Sequence, residues 1–461
     1  MFRIFRHYIP KILILLGTTE SLILLLSVFL STGGGISPDH ALMFPRAALF
    51  CAVMMFVMMA MGLYHNFDED NSRMVLTRIS LSFLLGVVML VLLYNMLPGL
   101  SINHDKFLFA VLISFSGIVT CRLARHFWHN RIPKSNILVI GTGKKAQQLE
   151  SLNHNYKNSD VRIRSYLDIE ENGTRHIAED RIIDIKQDLS NLVQIAFDND
   201  IREIVIALDE RRNTIPINAI LDCKMRGIAV TDVNSFLERQ LGKICINTLD
   251  PSTLIYCDGF IQGEIKSLVK RSFDITVSLA LLVLMSPVML LTMLAILVES
   301  SFRGSVIYSQ KRIGANDRPF RIYKFRSMRE NAEVEGNPVW ASKDDARVTR
   351  VGRFIRKTRI DELPQLFNVL KGDMSFVGPR PERPEFTREL SGEIPFYSLR
   401  HHVKPGITGW AQICFPYGAS KGDAREKLQY DLYYLKNNTL FLDILILIQT
   451  AAVIFLGKGA R

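Results

Sequence analysis

The chain has 461 residues, too many for one hydrophobic core, so a single globule is excluded and about two to four units are expected. Apolar residues make up 48% against 22% charged, with a mean hydropathy of +0.15; this excludes disorder and concentrates apolar content in membrane segments. Lys plus Arg number 56 against 45 Asp plus Glu, a net +11 that calls for an anionic partner: nucleic acid, lipid headgroups or a phosphorylated substrate.

The first elements are apolar. Stretches at Ile12 to Leu30, Ala47 to Tyr64, Ile79 to Leu97 and Phe107 to Cys121 each approach the ~20 residues that cross a bilayer. No small-residue cleavage site follows the first, so it reads as a retained span, with Glu20 as a bundle-facing polar contact. Arg3, Arg6 and Lys11 precede the first span, Arg73 and Arg78 lie between the second and third, and Arg122, Arg125, Arg131 and Lys134 follow the fourth. The positive-inside rule puts all three groups, and the rest of the chain, on the cytoplasmic side.

Next comes Ile137-Leu-Val-Ile140, a buried-strand pattern, then Gly141-Thr-Gly143-Lys-Lys-Ala146 opening a helix. This G-x-G-x-x-A turn lets backbone approach a pyrophosphate at a helix N-terminus. Strands at Arg162 to Leu167, Glu203 to Ala207 and Gly227 to Val230 alternate with helical segments, so residues 135–255 read as a Rossmann-like, doubly wound α/β domain. Gly141 and Gly143 are its cofactor-binding candidates. The acid expected about 20 residues on has only a loose candidate in Asp168, so a structural or regulatory role is expected ahead of nucleotide binding.

Ile275 to Val298 gives 24 further residues without a charge. Lys266, Lys270 and Arg271 flank one end and Arg303, Lys311 and Arg312 the other, so both ends ask for the cytoplasm. Ser286-Pro287 breaks the helical ladder midway. A re-entrant hairpin over 272–300 is expected, with Ser286 and Pro287 as structural residues. Residues 301–360 then hold 15 Lys plus Arg against 6 Asp plus Glu, a bias suited to a phosphate-rich ligand beside an anionic membrane.

The densest run of special residues is Arg359-Ile-Asp361-Glu362-Leu-Pro364-Gln365, continuing to Gly378-Pro-Arg380-Pro-Glu382. Adjacent carboxylates among arginines can divide their labour: cations keep one ionised as a nucleophile and the other binds a divalent metal. Gly378-Pro379-Arg380-Pro381 reads as a rigid turn presenting a phosphate-matching guanidinium. Together they read as a phosphoryl-transfer site. The last apolar stretch, Leu440 to Leu456, carries Asp443 and Gln449 and is followed by Lys458 and Arg461; it is expected to lie in the membrane interface.

At these residues the chain resembles the bacterial polyprenyl-phosphate sugar-1-phosphate transferases, the monotopic phosphoglycosyl transferase superfamily. The likeness covers about 266–461 and is carried by Lys270-Arg271-x-x-Asp274, Ser286-Pro287, Gln310-Lys-Arg312-Ile-Gly314, Phe320-x-x-x-Lys324-Phe-Arg326-Ser-Met328, Asp361-Glu-Leu-Pro-Gln365, Val377-Gly-Pro-Arg-Pro381, Lys404-Pro-Gly-Ile-Thr-Gly-Trp410-Ala-Gln412 and Tyr430-Asp431-x-Tyr433-Tyr434. Four spans (1–130) and a Rossmann-like domain ahead of it resemble the large forms that initiate exopolysaccharide or O-antigen synthesis.

The resemblance implies a membrane protein of α plus α/β class, with a monotopic catalytic α/β domain over 266–461 at the cytoplasmic face of the bacterial inner membrane. It implies that Asp361 attacks the β-phosphate of a UDP-sugar, releasing UMP, and that undecaprenyl phosphate then takes the phosphosugar. Glu362 would hold Mg²⁺, with Asp361 beside it. Lys324, Arg326, Arg380 and Arg312 are the phosphate-contact candidates, and Asp431 matches a family motif with a binding or structural role. Hexose donors are the default, membrane lipids the surroundings and a dimer the expected assembly; nucleic acid is not a partner.

Two alternatives stand beside this. An NAD-dependent sugar-nucleotide dehydratase or epimerase needs Tyr-x-x-x-Lys inside the Rossmann domain, whereas that spacing occurs only at Tyr417 to Lys421. A non-enzymatic export regulator would lack transferase chemistry. The six cysteines show no CxxC and the ten histidines no HExxH, so disulfide frameworks and zinc hydrolysis are excluded.

Overall fold

The computed structural model describes residues 1–32, 40–64, 72–129, 134–155, 161–169, 175–184, 192–209, 216–249, 251–260, 263–329, 347–415, 418 and 420–455; Tyr417, Lys458 and Arg461 lie outside them. They form two compact units, one joining the chain up to Val119 with everything from Asp258 on, the other spanning Thr120–Cys257.

In the first unit, β1 (Phe2–Ile4) and β2 (His7–Ile9) form an antiparallel hairpin. Four helices follow: α1 (Lys11–Ser31), α2 (His40–Ala60), α3 (Ser72–Met96) and α4 (His104–His129). All are long and apolar enough to cross a membrane, making this a membrane protein. Leu24, Phe50, Met54, Leu90 and Ile118 fill their interior, and buried Glu20 accepts from Tyr64.

The second unit holds a parallel sheet of β3 (Ser135–Ile140), β4 (Val161–Asp168), β5 (Ile182–Asp184), β6 (Ile201–Ile206) and β7 (Ala229–Asp232) in the order β5-β4-β3-β6-β7. Side chains alternate across it. Ile137 and Val139 pack with Ala146 and Leu149 of α5 (Lys144–Asn155), while Leu138 and Ile140 pack with Leu192 and Ala196 of α6 (Leu192–Asp198) and with Cys223 of α7 (Ile217–Met225). Helices α8 (Val233–Leu241) and α9 (Pro251–Tyr256) complete the unit. Helices on both faces make it doubly wound, as the strand pattern predicts.

Back in the first unit, α10 runs as one 36-residue helix, Glu264–Glu299, straight through Pro287 in sequence, where the composition predicts a break into a hairpin. The reason is local. Proline cannot donate to the carbonyl four residues back, and the Ser286 hydroxyl takes that acceptor, the Val283 carbonyl, at 2.8 Å. Both ends of α10 dock on the same domain. Arg271 donates to the Val369 and Leu370 carbonyls at 2.6 Å, whereas Glu299 accepts from the Arg350 backbone at 2.7 Å and Ile296 packs with Phe325 and Ile355. Its middle is apolar and bare, with Val283 76% and Leu291 67% exposed.

That domain continues with β8 (Ile307–Ile313) and β9 (Pro319–Phe325), an antiparallel hairpin, then α11 (Arg350–Lys357), a 3₁₀ turn at Ile360–Glu362, α12 (Gln365–Lys371), β10 (Ser375–Val377), α13 (Pro384–Glu393), a 3₁₀ stretch at Tyr397–His402, β11 (Gly406–Thr408) parallel to β10, α14 (Trp410–Cys414), α15 (Lys421–Asn437) and α16 (Leu440–Phe455). Among the described residues this region combines helices with two two-stranded pieces, β8-β9 and β10-β11.

The amino-terminal hairpin docks on this domain. His7 is buried, its Nδ1 2.9 Å from the Tyr433 hydroxyl and its ring edge-on to Trp410, while Phe5 meets Phe441. Burial lowers His7 to about 4. A base depressed below its unfolded value of about 6.5 stays neutral in the fold, so its stability contribution is present above pH 6.5 and is lost as pH falls toward 4. Wild-type protein should lose on the order of 3 kcal/mol over that window, whereas His7→Gln, read by thermal melts in nanodiscs, should show no such acid limb from this position.

Candidate active site

Asp361 and Glu362 occupy the 3₁₀ turn between α11 and α12. Arg359 enters that turn with φ of 60°, a left-handed conformation disfavoured for a side chain with a Cβ, and this brings its guanidinium to 3.6 Å from Glu362 Oε1. Thr349 caps α11 through the Gly352 N–H, and Pro364 precedes α12, where a missing donor costs nothing. Asn368 of α12 joins the turn to the hairpin, accepting from the Tyr323 N–H at 3.1 Å and donating to the Arg321 carbonyl at 2.7 Å. It imitates a neighbouring strand, so Lys324 of β9 is delivered to Glu362 Oε1 at 2.8 Å.

Arg380 lies 3.2 Å from the same Oε1, with its side chain 44% exposed. Burial alone would raise Glu362, but Lys324, Arg380 and Arg359 outweigh it and hold that carboxylate far below its usual range. Asp361 is treated differently. Burial raises it, Lys324 opposes and Glu362 repels, with the outcome at about 6. Its Oδ1 is buried and has no hydrogen-bond partner among the described residues. Burial likewise depresses Lys324, against the pull of Glu362.

The turn carrying Arg380 is held carbonyl by carbonyl. Gly406 N–H bonds Pro379 at 3.0 Å, Arg400 bonds Arg380 at 2.9 Å and Arg312 bonds Pro381 at 3.1 Å. A Cβ on Gly378 would lie 2.3 Å from the Lys404 carbonyl, and one on Gly406 2.1 Å from the Gly378 nitrogen, so this approach needs glycine on both chains. Arg312 thus braces the turn rather than facing the carboxylate pair. Asp431 is also a brace. It is buried, with Arg400 Nη2 2.9 Å from its Oδ2 but off hydrogen-bond alignment; burial raises it to about 6 against the pull of Arg400. Arg326 donates to the Arg303 carbonyl at 3.1 Å, where the chain leaves α10.

No group of three His, Cys, Asp or Glu suited to a metal occurs among the described residues. Magnesium does not require one, since it takes one or two carboxylates and fills its octahedron with water and substrate phosphates. The partnerless Asp361 Oδ1 next to Glu362 offers hard oxygens that fit it.

In the other unit the glycine-rich turn is closed by the chain itself. Asp209 accepts from the Lys144 and Lys145 N–H groups at 2.8 and 3.0 Å, the donors a phosphate at the start of α5 would use. Gly143 is required because a Cβ there would lie 2.3 Å from Asp209 Oδ2. Asp168 is held by Thr142 at 3.3 Å and Arg175 at 2.6 Å. Gly141 and Gly143 therefore serve close packing here. Asn368, Arg400 and Asp209 escape a reading by motif, because each is recognisable only through a partner 20 to 65 residues away.

Known proteins resemble the region that holds this site. The profile described as "Bacterial sugar transferase" matches residues 265–457. The UDP-N-acetylgalactosamine-undecaprenyl-phosphate N-acetylgalactosaminephosphotransferase of Aeromonas hydrophila is 45% identical over 239 residues, 52% of this chain and 55% of its own. The UDP-glucose:undecaprenyl-phosphate glucose-1-phosphate transferase of Klebsiella pneumoniae is 37% identical over 279 residues, 59% and 58% of the two chains. A putative undecaprenyl-phosphate N-acetylgalactosaminyl 1-phosphate transferase of Bacillus subtilis is 52% identical over 132 residues, 29% of this chain and 72% of its own. The chain spans about half the length of the first two. Since the matched region contains the carboxylate pair and every cation around it, the chain belongs to the bacterial sugar transferase family.

Proposed function

We propose that this chain transfers a sugar 1-phosphate from a UDP-sugar to undecaprenyl phosphate at the cytoplasmic face of the bacterial inner membrane, as the first step of an exopolysaccharide. The reading is carried by one observation: a buried carboxylate oxygen on Asp361, without a hydrogen-bond partner among the described residues, beside a carboxylate already neutralised by Lys324, Arg380 and Arg359. The relatives' names supply the reactant classes, a UDP-sugar and undecaprenyl phosphate.

Asp361 Oδ1 attacks the β-phosphorus of the donor. The bond to the bridging oxygen breaks, UMP leaves with the electron pair, and the phosphosugar remains on the carboxylate. A phosphate oxygen of the polyprenol then attacks the same phosphorus and frees the carboxylate, giving the diphosphate-linked sugar. Arg380, half open to solvent, and Lys324 stabilise the charge on the phosphoryl oxygens. Mg²⁺, held by Glu362 with Asp361, would neutralise the diphosphate and the departing UMP. Arg326 sits at the exit of α10, suited to a lipid headgroup or donor phosphate. The docking of both ends of α10 on one domain supports its re-entry into the membrane rather than a crossing, with α16 in the interface.

UMP release should therefore be detected when a panel of UDP-sugars is offered with undecaprenyl phosphate. Asp361→Asn should abolish it, and Glu362→Gln and Arg380→Ala should each cost about a hundredfold. Mass spectrometry of enzyme with donor alone should find a phosphosugar on Asp361. Turnover without any such adduct would remove the covalent step.

Acid should inhibit in a specific way. The nucleophile must be ionised; burial raises Asp361 to about 6, while Mg²⁺ held beside it would oppose that rise, so kcat/KM should fall with acid below about 6, at a pH that moves down as Mg²⁺ is raised. Glu362, held ionised by its three cations, should add no limb there.

Topology can be read with thiols. Cysteines at positions 268 and 306 should both react with a membrane-impermeant reagent only after the cytoplasmic side is opened. Labelling of position 306 from outside would make α10 a crossing helix.

A further inference from the structure

The Arg380 turn has one more grip. The carbonyl of Val377, the residue just before Gly378, accepts from Lys270 Nζ at 3.2 Å. Lys270 belongs to the start of α10, and its remaining donors reach Asp443 Oδ2 at 2.5 Å and the Tyr434 hydroxyl oxygen at 3.3 Å. Tyr434 lies 3.0 Å from the Val377 carbonyl and 2.7 Å from Asp443 Oδ1. Its single proton goes to the shorter, charge-assisted bond with Asp443. All three ammonium donors and both oxygens of a carboxylate only 3% exposed are then satisfied.

Asp443 is the one charged residue of the mostly apolar α16, so a buried charge there is costly unless it serves a fixed partner. One turn further along α10, Asp274 accepts from the Ser375 hydroxyl and the Phe376 N–H, both at 3.1 Å. Two mostly apolar helices therefore converge, through Lys270, Asp443 and Asp274, on the three residues of β10 that lead into Gly378 and Arg380.

We propose that Asp443, with Tyr434, is a positioning residue for the transfer reaction: it orients Lys270 on the Val377 carbonyl, and so fixes where Arg380 meets Glu362 and the donor's phosphates. The inference rests on the transferase reading above. Asp443 never touches substrate. Removing it leaves the Lys270 ammonium free to swing from the Val377 carbonyl, the turn gains freedom, and Arg380 loses its place rather than its charge.

A double-mutant cycle separates this from a purely structural role. Asp443→Asn should lower kcat/KM for the UDP-sugar about tenfold or more, with a well-folded protein by size exclusion and melting. In an Arg380→Ala background the same change should cost less than about threefold, because the group it positions is gone. Tyr434→Phe, which keeps the ring, should give a smaller loss with the same dependence on Arg380 and keeps the test open if Asp443→Asn accumulates poorly. Losses that multiply in both backgrounds would overturn the inference while leaving the transferase reading intact. Wild-type protein that releases no UMP from any UDP-sugar would sink that reading, and this inference with it.

Discussion

Two adjacent carboxylates cannot both be buried and ionised without cations beside them, and the carboxyl-terminal domain is built around that constraint. At an effective dielectric near 20 a charge pair at 4 Å is worth about 4 kcal/mol. Three cations between 2.8 and 3.6 Å of one Glu362 oxygen therefore exceed its burial penalty. None of them makes an equivalent bond to Asp361 Oδ1, so burial prevails there and leaves its titration at about 6. Chain neighbours thus become unlike acids, one a fixed anion and the other a carboxylate close to its charging point at neutral pH. The sequence permits either assignment of roles, and it is the cations' choice of oxygen that separates them.

Each cation arrives on a different element, so each needs its own support. Lys324 depends on β9, and β9 on Asn368. Arg359 depends on a strained backbone that the flanking helices α11 and α12 hold in place. Arg380 depends on a turn with no helix of its own, which is why so many groups grip its carbonyls. Buried ion pairs such as Arg400 with Asp431 add little net stability by themselves. Their value here is geometric, because they fix a backbone on which a half-exposed guanidinium must be accurate.

Much of this was legible in the sequence. Asp361, Glu362 and Arg380 stand out because charges crowded next to prolines and glycines make poor core, whereas Lys324 is marked only by the family resemblance. The four amino-terminal helices and the parallel strands announce themselves by apolar length and alternation, although three-residue β5 was missed because too few residues display a period. The bracing groups were invisible for a physical reason. His7 meets Tyr433 across 426 positions and Lys270 meets Asp443 across 173, and one sequence contains no signal for a pairing created only by the folded chain. At Ser286-Pro287, where the sequence predicts a bend, the Ser286 hydroxyl takes the Val283 carbonyl that the proline leaves without a donor.

The glycine-rich turn of the other unit obeys the same electrostatics with the opposite outcome. The start of a helix favours negative charge because its first N–H groups are unpaired, and a G-x-G-x-x-A turn exposes them by removing side chains. What such a turn does depends on which anion occupies it. Here the carboxylate of Asp209, arriving from the end of β6, bonds the Lys144 and Lys145 N–H groups and fits only because residue 143 has no Cβ. A dinucleotide would have to displace a covalently tethered anion whose effective concentration is far higher than its own. The glycines that suggest a cofactor site thus also serve an internal contact, since topology sets where a ligand could bind while the donors left open set whether one does.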